Sequence, residues 1–221
     1  MISPPDAILL DMDGLLVDSE PLWFEIERGF CRDRGFDWTL DDAAGCVGKG
    51  LRATLSAMGE RFGFAVEADR DAAWVVDQFV SRVGELALKP GAVELMSAAE
   101  GRGIAMALAS SSPRILVGAV VDRFGLRPRL GAVVTGEDVV HLKPAPDIFL
   151  RAAADLGATP ARCAVLEDSL AGATAGRAAA MIVVAVPEGP WEGRGFEAVA
   201  DVCLPDLHHA AAWLGLAPAA G

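Results

Sequence analysis

Ala7-Ile8-Leu9-Leu10-Asp11-Met12-Asp13-Gly14 is the stretch that decides the fold. Four apolar residues run without a polar interruption into an acidic turn. A run that short and uniformly apolar fits a strand covered on both faces, as in a parallel sheet. Residues 104–109, 132–134, 164–166 and 182–186 read the same way. Helical patterns separate the later runs: 113–124, with Ser112 as N-cap and Gly125 as stop; 147–156, stopped by Gly157; and 170–180. Alternating strands and helices predict an α/β fold, a doubly wound, Rossmann-like parallel sheet.

Residues 20–88 break this rhythm. They carry Gly-marked turns and helical spacings (Leu22, Ile26, Phe30; Val75, Phe79, Val83, Leu86) but no buried strand. They read as a small helical domain inserted after the first strand, with Lys89-Pro90-Gly91 leading back to the sheet. The expected division is a core of 1–18 and 89–221 and an insert of 19–88. The Ala/Gly/Pro-rich tail after Leu216 is expected to fray.

Composition bounds the function. The chain has 221 residues, 52% hydrophobic and 23% charged, which is globular and excludes disorder. Nineteen basic against 31 acidic residues leave a net charge of −12, so most of the surface repels nucleic acid and anionic membrane. Cys31, Cys46, Cys163 and Cys203 are scattered, with no CxxC pair, which predicts neither a disulfide framework nor a zinc site. The first residues lack a signal-peptide pattern, and no apolar run approaches the ~20 residues of a membrane span. A soluble, cytoplasmic protein, monomeric by default, is expected.

In an open α/β sheet, ligands bind beyond the carboxyl ends of the strands. The first run ends in Asp11-Met12-Asp13-Gly14, the second in Ser110-Ser111-Ser112 and the fourth in Glu167-Asp168-Ser169; the loop after the third holds Lys143-Pro144. Carboxylates, hydroxyls and one lysine thus meet at one edge. Several carboxylates in one cleft cannot all ionise cheaply without a cation between them. Oxygen ligands alone select a hard metal such as Mg²⁺. A lysine and hydroxyls at a helix N-terminus suit a phosphoryl group. Together they point to phosphoryl transfer through an aspartyl-phosphate.

Four segments, Asp11 to Glu20, Ala109 to Ser112, Lys143 to Phe149 and Leu166 to Ser169, resemble in order the four motifs of the haloacid dehalogenase superfamily. The resemblance is nearest the branch of β-phosphoglucomutase-like enzymes and sugar-phosphate phosphatases, and it makes the helical insert a cap. It implies Asp11 as the nucleophile. It implies Asp13 as the general acid and then the base, with its backbone carbonyl on the metal. Ser110 and the Ser111 amide would hold the phosphoryl oxygens, Lys143 would neutralise charge, and Asp168 with Glu167 would complete the Mg²⁺ shell. Asp11, Asp13, Glu167 and Asp168 are therefore the expected metal set.

Trp23 is expected on a cap helix, facing the cleft or packed in the core; Lys49 and Arg52 could grip a distal group of the substrate. The histidines His141, His208 and His209 are read as structural. The expected activity is Mg²⁺-dependent hydrolysis of a small phosphorylated metabolite, a sugar phosphate by resemblance. A phosphomutase is the alternative, although in that branch a histidine tends to stand near the place of Trp23. A signalling receiver module would need neither the insert nor Asp13 two residues beyond the nucleophile. A catalytically dead binding protein would usually have lost one of Asp11, Asp13, Lys143 or Asp168.

Overall fold

A computed structural model describes residues 4–46, 50–188 and 194–216. Among these, six strands form one wholly parallel sheet: β1 Ala7–Leu10, β2 Ala105–Ala109, β3 Ala132–Val134, β4 Cys163–Glu167, β5 Ile182–Ala185 and β6 Val202–Cys203. Their order is β3-β2-β1-β4-β5-β6. The five expected strands are present, with ends displaced by one residue at most. The sixth, β6, is two half-buried residues, too short to show as an apolar run.

Successive residues of a strand face opposite sides, so the sheet has two cores. Ala7, Leu9, Ala107 and Val165 pack on one side beneath α7, Asp147–Asp155, and α8, Leu170–Ala178. Ile8, Leu10, Leu108 and Leu166 join the other core, which also takes in side chains of α5 (Ala92–Glu100), α6 (Arg114–Arg123) and α9 (Leu207–Trp213). All four residues of β1 are fully buried, as their composition requires. Helices on both faces make the sheet doubly wound.

Between β1 and α5 lie four more helices: α1 Glu20–Arg32, α2 Leu40–Ala44, α3 Leu51–Phe62 and α4 Ala68–Arg82. Leu22, Ile26 and Phe30 of α1 and Val75 and Phe79 of α4 form their buried faces, at the spacings that predicted them. The two connections to the sheet run side by side: Val17 bridges Leu88 antiparallel, the Asp18 N–H donates to the Ala87 carbonyl (2.9 Å) and the Lys89 N–H to the Leu16 carbonyl (2.9 Å).

Ser112 does not cap α6. The cap position is held by Pro113 in extended backbone, and the Ser112 hydroxyl is used elsewhere. The tail beyond Leu216 lies outside the described residues. Among the described residues, no helix is long and apolar enough to cross a membrane.

Candidate active site

The chain reverses its direction of winding between β1 and β4, and the crevice such a reversal opens lies at the carboxyl ends of those strands. There Asp11 follows β1, Glu167 ends β4 and Asp168 follows it. Each is buried, and each can present a carboxylate oxygen within 4.8 Å of the others. Two glycines make that crowding possible. Gly14 has φ +76°, and a Cβ on it would overlap the Asp168 carboxylate; a Cβ on Gly172 would overlap that of Glu167.

Lys143 reaches into the cluster from the loop after β3. Its Nζ is buried and donates to Asp11, to Glu167 and to the Ala109 carbonyl (3.0 Å). Burial opposes the charge on Lys143, but the carboxylates of Asp11 and Glu167 more than offset it and raise its pKa. Burial pushes Asp11 and Asp168 well above the usual carboxylate range, and neighbouring carboxylates push them further. Three buried carboxylates beside one ammonium leave uncompensated negative charge, and the donors are all oxygen. That set suits a hard divalent cation. Glu167 also accepts from the Ser169 N–H (3.2 Å) and hydroxyl (2.9 Å), so Asp11 and Asp168 have more free oxygen to offer.

Asp13 stands outside that acidic cluster. Its Oδ1 accepts from the Ser19 hydroxyl (2.7 Å) and the Trp23 indole N–H (2.9 Å), and its Oδ2 from the Ser112 hydroxyl (2.8 Å). The Trp23 ring stacks on Phe79 with centroids 4.6 Å apart, so this side chain serves the insert's packing and the site together.

Ser110 is buried, and its Oγ accepts from the Ser112 N–H (3.1 Å). The Ser111 Oγ is buried and has no hydrogen-bond partner among the described residues. A buried hydroxyl without a partner is costly, and a ligand oxygen in the cleft would relieve it. Both serines line the cleft with Asp11, Asp13, Lys143 and Asp168.

The insert forms the opposite wall. Glu20, Trp23, Phe24 and Glu27 of α1 line it, with Leu51 and Thr54 of α3. The Trp38 indole N–H donates to Glu27 Oε2 (2.9 Å). Burial raises both Glu20 and Glu27 to a pKa of about 7. Sequence reading places Ser19, Glu20 and Ser112 within the motifs but gives them no part in holding Asp13 or lining the cleft, and it passes over Glu27. Arg52 does not face the cleft; it pairs with Asp69 (2.6 Å) on exposed surface. Lys49 lies outside the described residues.

A haloacid dehalogenase-like hydrolase family model matches residues 5–180. Hexitol phosphatase B of Escherichia coli (strain K12) is 32% identical over 209 residues, covering 91% of this chain and 92% of that protein. SUPPRESSOR OF QUENCHING 1, a chloroplastic protein of Arabidopsis thaliana, is 36% identical over 186 residues, 81% of this chain but only 18% of that longer protein. A variant of CbbY from Rhodobacter sphaeroides, solved in complex with xylulose-(1,5)bisphosphate, superimposes with a TM-score of 0.81 at 27% identity, covering 92% of this chain and 95% of that one.

Proposed function

This chain belongs to the haloacid dehalogenase-like hydrolase family, and on that premise we propose that it is a Mg²⁺-dependent phosphatase of a small phosphorylated metabolite, a sugar phosphate or close relative. The observation that carries the proposal is the buried convergence of Asp11, Lys143 and Asp168 beside the unpartnered Ser111 hydroxyl.

Asp11 attacks phosphorus in line with the ester oxygen. As the Asp11–phosphorus bond forms, the phosphorus–ester bond breaks, and Asp13 gives its proton to the departing oxygen. Water then attacks the aspartyl-phosphate, its proton passing to Asp13; the Asp11–phosphorus bond breaks and phosphate is released. Ser110 and Ser111 hold the phosphoryl oxygens. Lys143 neutralises charge on Asp11 and on the group in transfer, the kind of positioning and charge compensation that phosphoryl transfer chiefly needs. Asp11, Asp168, Glu167 and the Asp13 carbonyl would hold Mg²⁺, which when bound supplies further charge neutralisation at the phosphoryl oxygens. Residues 19–88 act as a cap over the core of 1–18 and 89–221, excluding water while the phosphoryl group moves.

The test is phosphate release from p-nitrophenyl phosphate and a panel of sugar phosphates, with Mg²⁺ or EDTA. Sustained, Mg²⁺-dependent release that Asp11→Asn abolishes without unfolding the protein is expected. A fully active Asp11→Asn protein overturns the scheme.

A further inference from the structure

Among the described residues, the wall of the cleft opposite Asp11 offers no cation to meet a second phosphate. Among the described lining residues Lys143 is the only lysine or arginine, and its ammonium is already shared by Asp11, Glu167 and a backbone carbonyl. What the wall offers instead is two carboxylates and two aromatic rings on one face of α1. Glu20, Trp23, Phe24 and Glu27 follow the i, i+3, i+4, i+7 spacing of a single helical face. Glu27 therefore stands two helical turns, about 10 Å, along the axis from Glu20, well removed from the Asp13 end of the cleft.

Glu27 is also costly where it stands. Its ordinary place would be the solvent face of an amphipathic helix, yet it is half-buried against the cleft, and one oxygen accepts from Trp38, itself a buried side chain. Among the described residues the other oxygen accepts no hydrogen bond. A half-buried, oriented carboxylate is a strong acceptor for hydroxyl donors, and aromatic faces beside it suit the C–H surface of a carbohydrate.

Building on the phosphatase proposal, we propose that Glu27 is a specificity-determining residue: its carboxylate receives hydroxyls of the leaving group and selects monophosphates of neutral, hydroxyl-rich molecules against bisphosphates. Selection arises in both directions. A polyol hydroxyl can donate to the second oxygen of Glu27, whereas a second phosphate would meet two carboxylates with no counter-charge among the described lining residues. This is opposite in sense to the bisphosphate held by the CbbY variant of similar fold.

The test compares wild type with Glu27→Gln and Glu27→Ala at pH 8, on p-nitrophenyl phosphate, a hexitol monophosphate, a hexose monophosphate and the corresponding hexose bisphosphate. For the wild type, kcat/KM for the monophosphates should exceed that for the bisphosphate by about 100-fold or more. Glu27→Gln keeps shape but loses charge; it should raise KM for the monophosphates by about ten-fold, the effect of a lost charged hydrogen bond, with kcat within about two-fold. It should also narrow the gap to the bisphosphate and raise KM for p-nitrophenyl phosphate, which has no hydroxyls to place, by much less than for the monophosphates. Glu27→Ala should act in the same direction should the glutamine find an alternative pairing. Unchanged monophosphate KM in both variants, an equal loss on all four compounds, or a wild type that prefers the bisphosphate overturns the role of Glu27 while leaving the phosphatase standing. No turnover of any compound by the wild type overturns the phosphatase proposal itself, and the role of Glu27 falls with it.

Discussion

Replacing Gly172 by alanine should destabilise this protein, although the same change within a helix ordinarily stabilises it. Gly172 lies in the first turn of α8, where alanine would by itself gain about 1 kcal/mol in helix propensity. Its Cβ, however, would occupy the space of the Glu167 carboxyl group, which is buried and cannot retreat into solvent. Overpacking of this kind costs about 1–3 kcal/mol. Displacing Glu167 also weakens its charged hydrogen bond with Lys143, a further loss of about 1.5–3 kcal/mol. The balance is a destabilisation of about 1.5–5 kcal/mol, and a chain of this size should melt roughly 3–20 °C lower. Lys143 would keep only Asp11 and the Ala109 carbonyl, and phosphate release should fall about 100-fold, as misplacement by an ångström does elsewhere. Gly118→Ala in α6 is the control. Its Cβ would meet nothing within 4 Å, so it should melt slightly higher and remain fully active. Thermal melts and phosphate release on the three proteins decide the matter. A Gly172→Ala protein as stable and as active as wild type would refute the claim that this glycine makes room for the charged cluster.

Three further outcomes are expected. Trp23→Phe keeps the ring on Phe79 but removes the N–H that holds Asp13; steady-state kinetics should show kcat reduced about ten-fold with KM within about two-fold. Glu20 and Glu27 have folded-state pKa values raised to about 7 from an ordinary 4.5, chiefly by burial. Their protonated forms favour the fold, so this stability is full below about pH 4.5 and lost as the pH rises through about 7; denaturant unfolding at pH 5 and pH 8 should show a fall that is smaller by about 2–3 kcal/mol in Glu27→Gln. Asp71 is buried in the insert and accepts from Arg34 (3.1 Å) and from the Glu67 N–H (2.9 Å); Asp71→Asn should cost about 2–3 kcal/mol in the same unfolding assay.

Much of this architecture was legible because its signals are local. Ala7–Leu10 is apolar at every position since both faces of β1 are covered. The acidic and hydroxyl residues at strand ends were legible for the same reason, each sitting directly after such a run. What stayed hidden depends on contacts far apart in the chain. Ser112 has the residue type and position of an N-cap, and only the tertiary fold directs its hydroxyl to Asp13, 99 residues away. Trp23 reads from the sequence as cleft or core and is both, because an indole has an apolar face and one polar edge. Glu27 carries no signal: a carboxylate on an amphipathic helix is ordinarily solvated, and its bond to Trp38, eleven residues on, forms only in the folded chain. β6 was invisible because two half-buried residues make no run.

The paired connections at Val17 and Leu88 have a consequence for how such a molecule can diversify. Residues bridged in this way stand about 5 Å apart, so the sheet meets everything between them as a single closed loop, whatever its length. Lengthening a helix there, or exchanging the whole segment, adds only slowly to the entropy of closing that loop and leaves the register of β1 against β2 and β4 undisturbed. Asp11, Lys143 and Asp168 are all supplied from outside the loop, whereas Glu20, Trp23 and Glu27 are supplied from within it. Natural variation can therefore redraw one wall of the cleft while the other stays fixed, and laboratory grafting at the same two points has a ready-made seam.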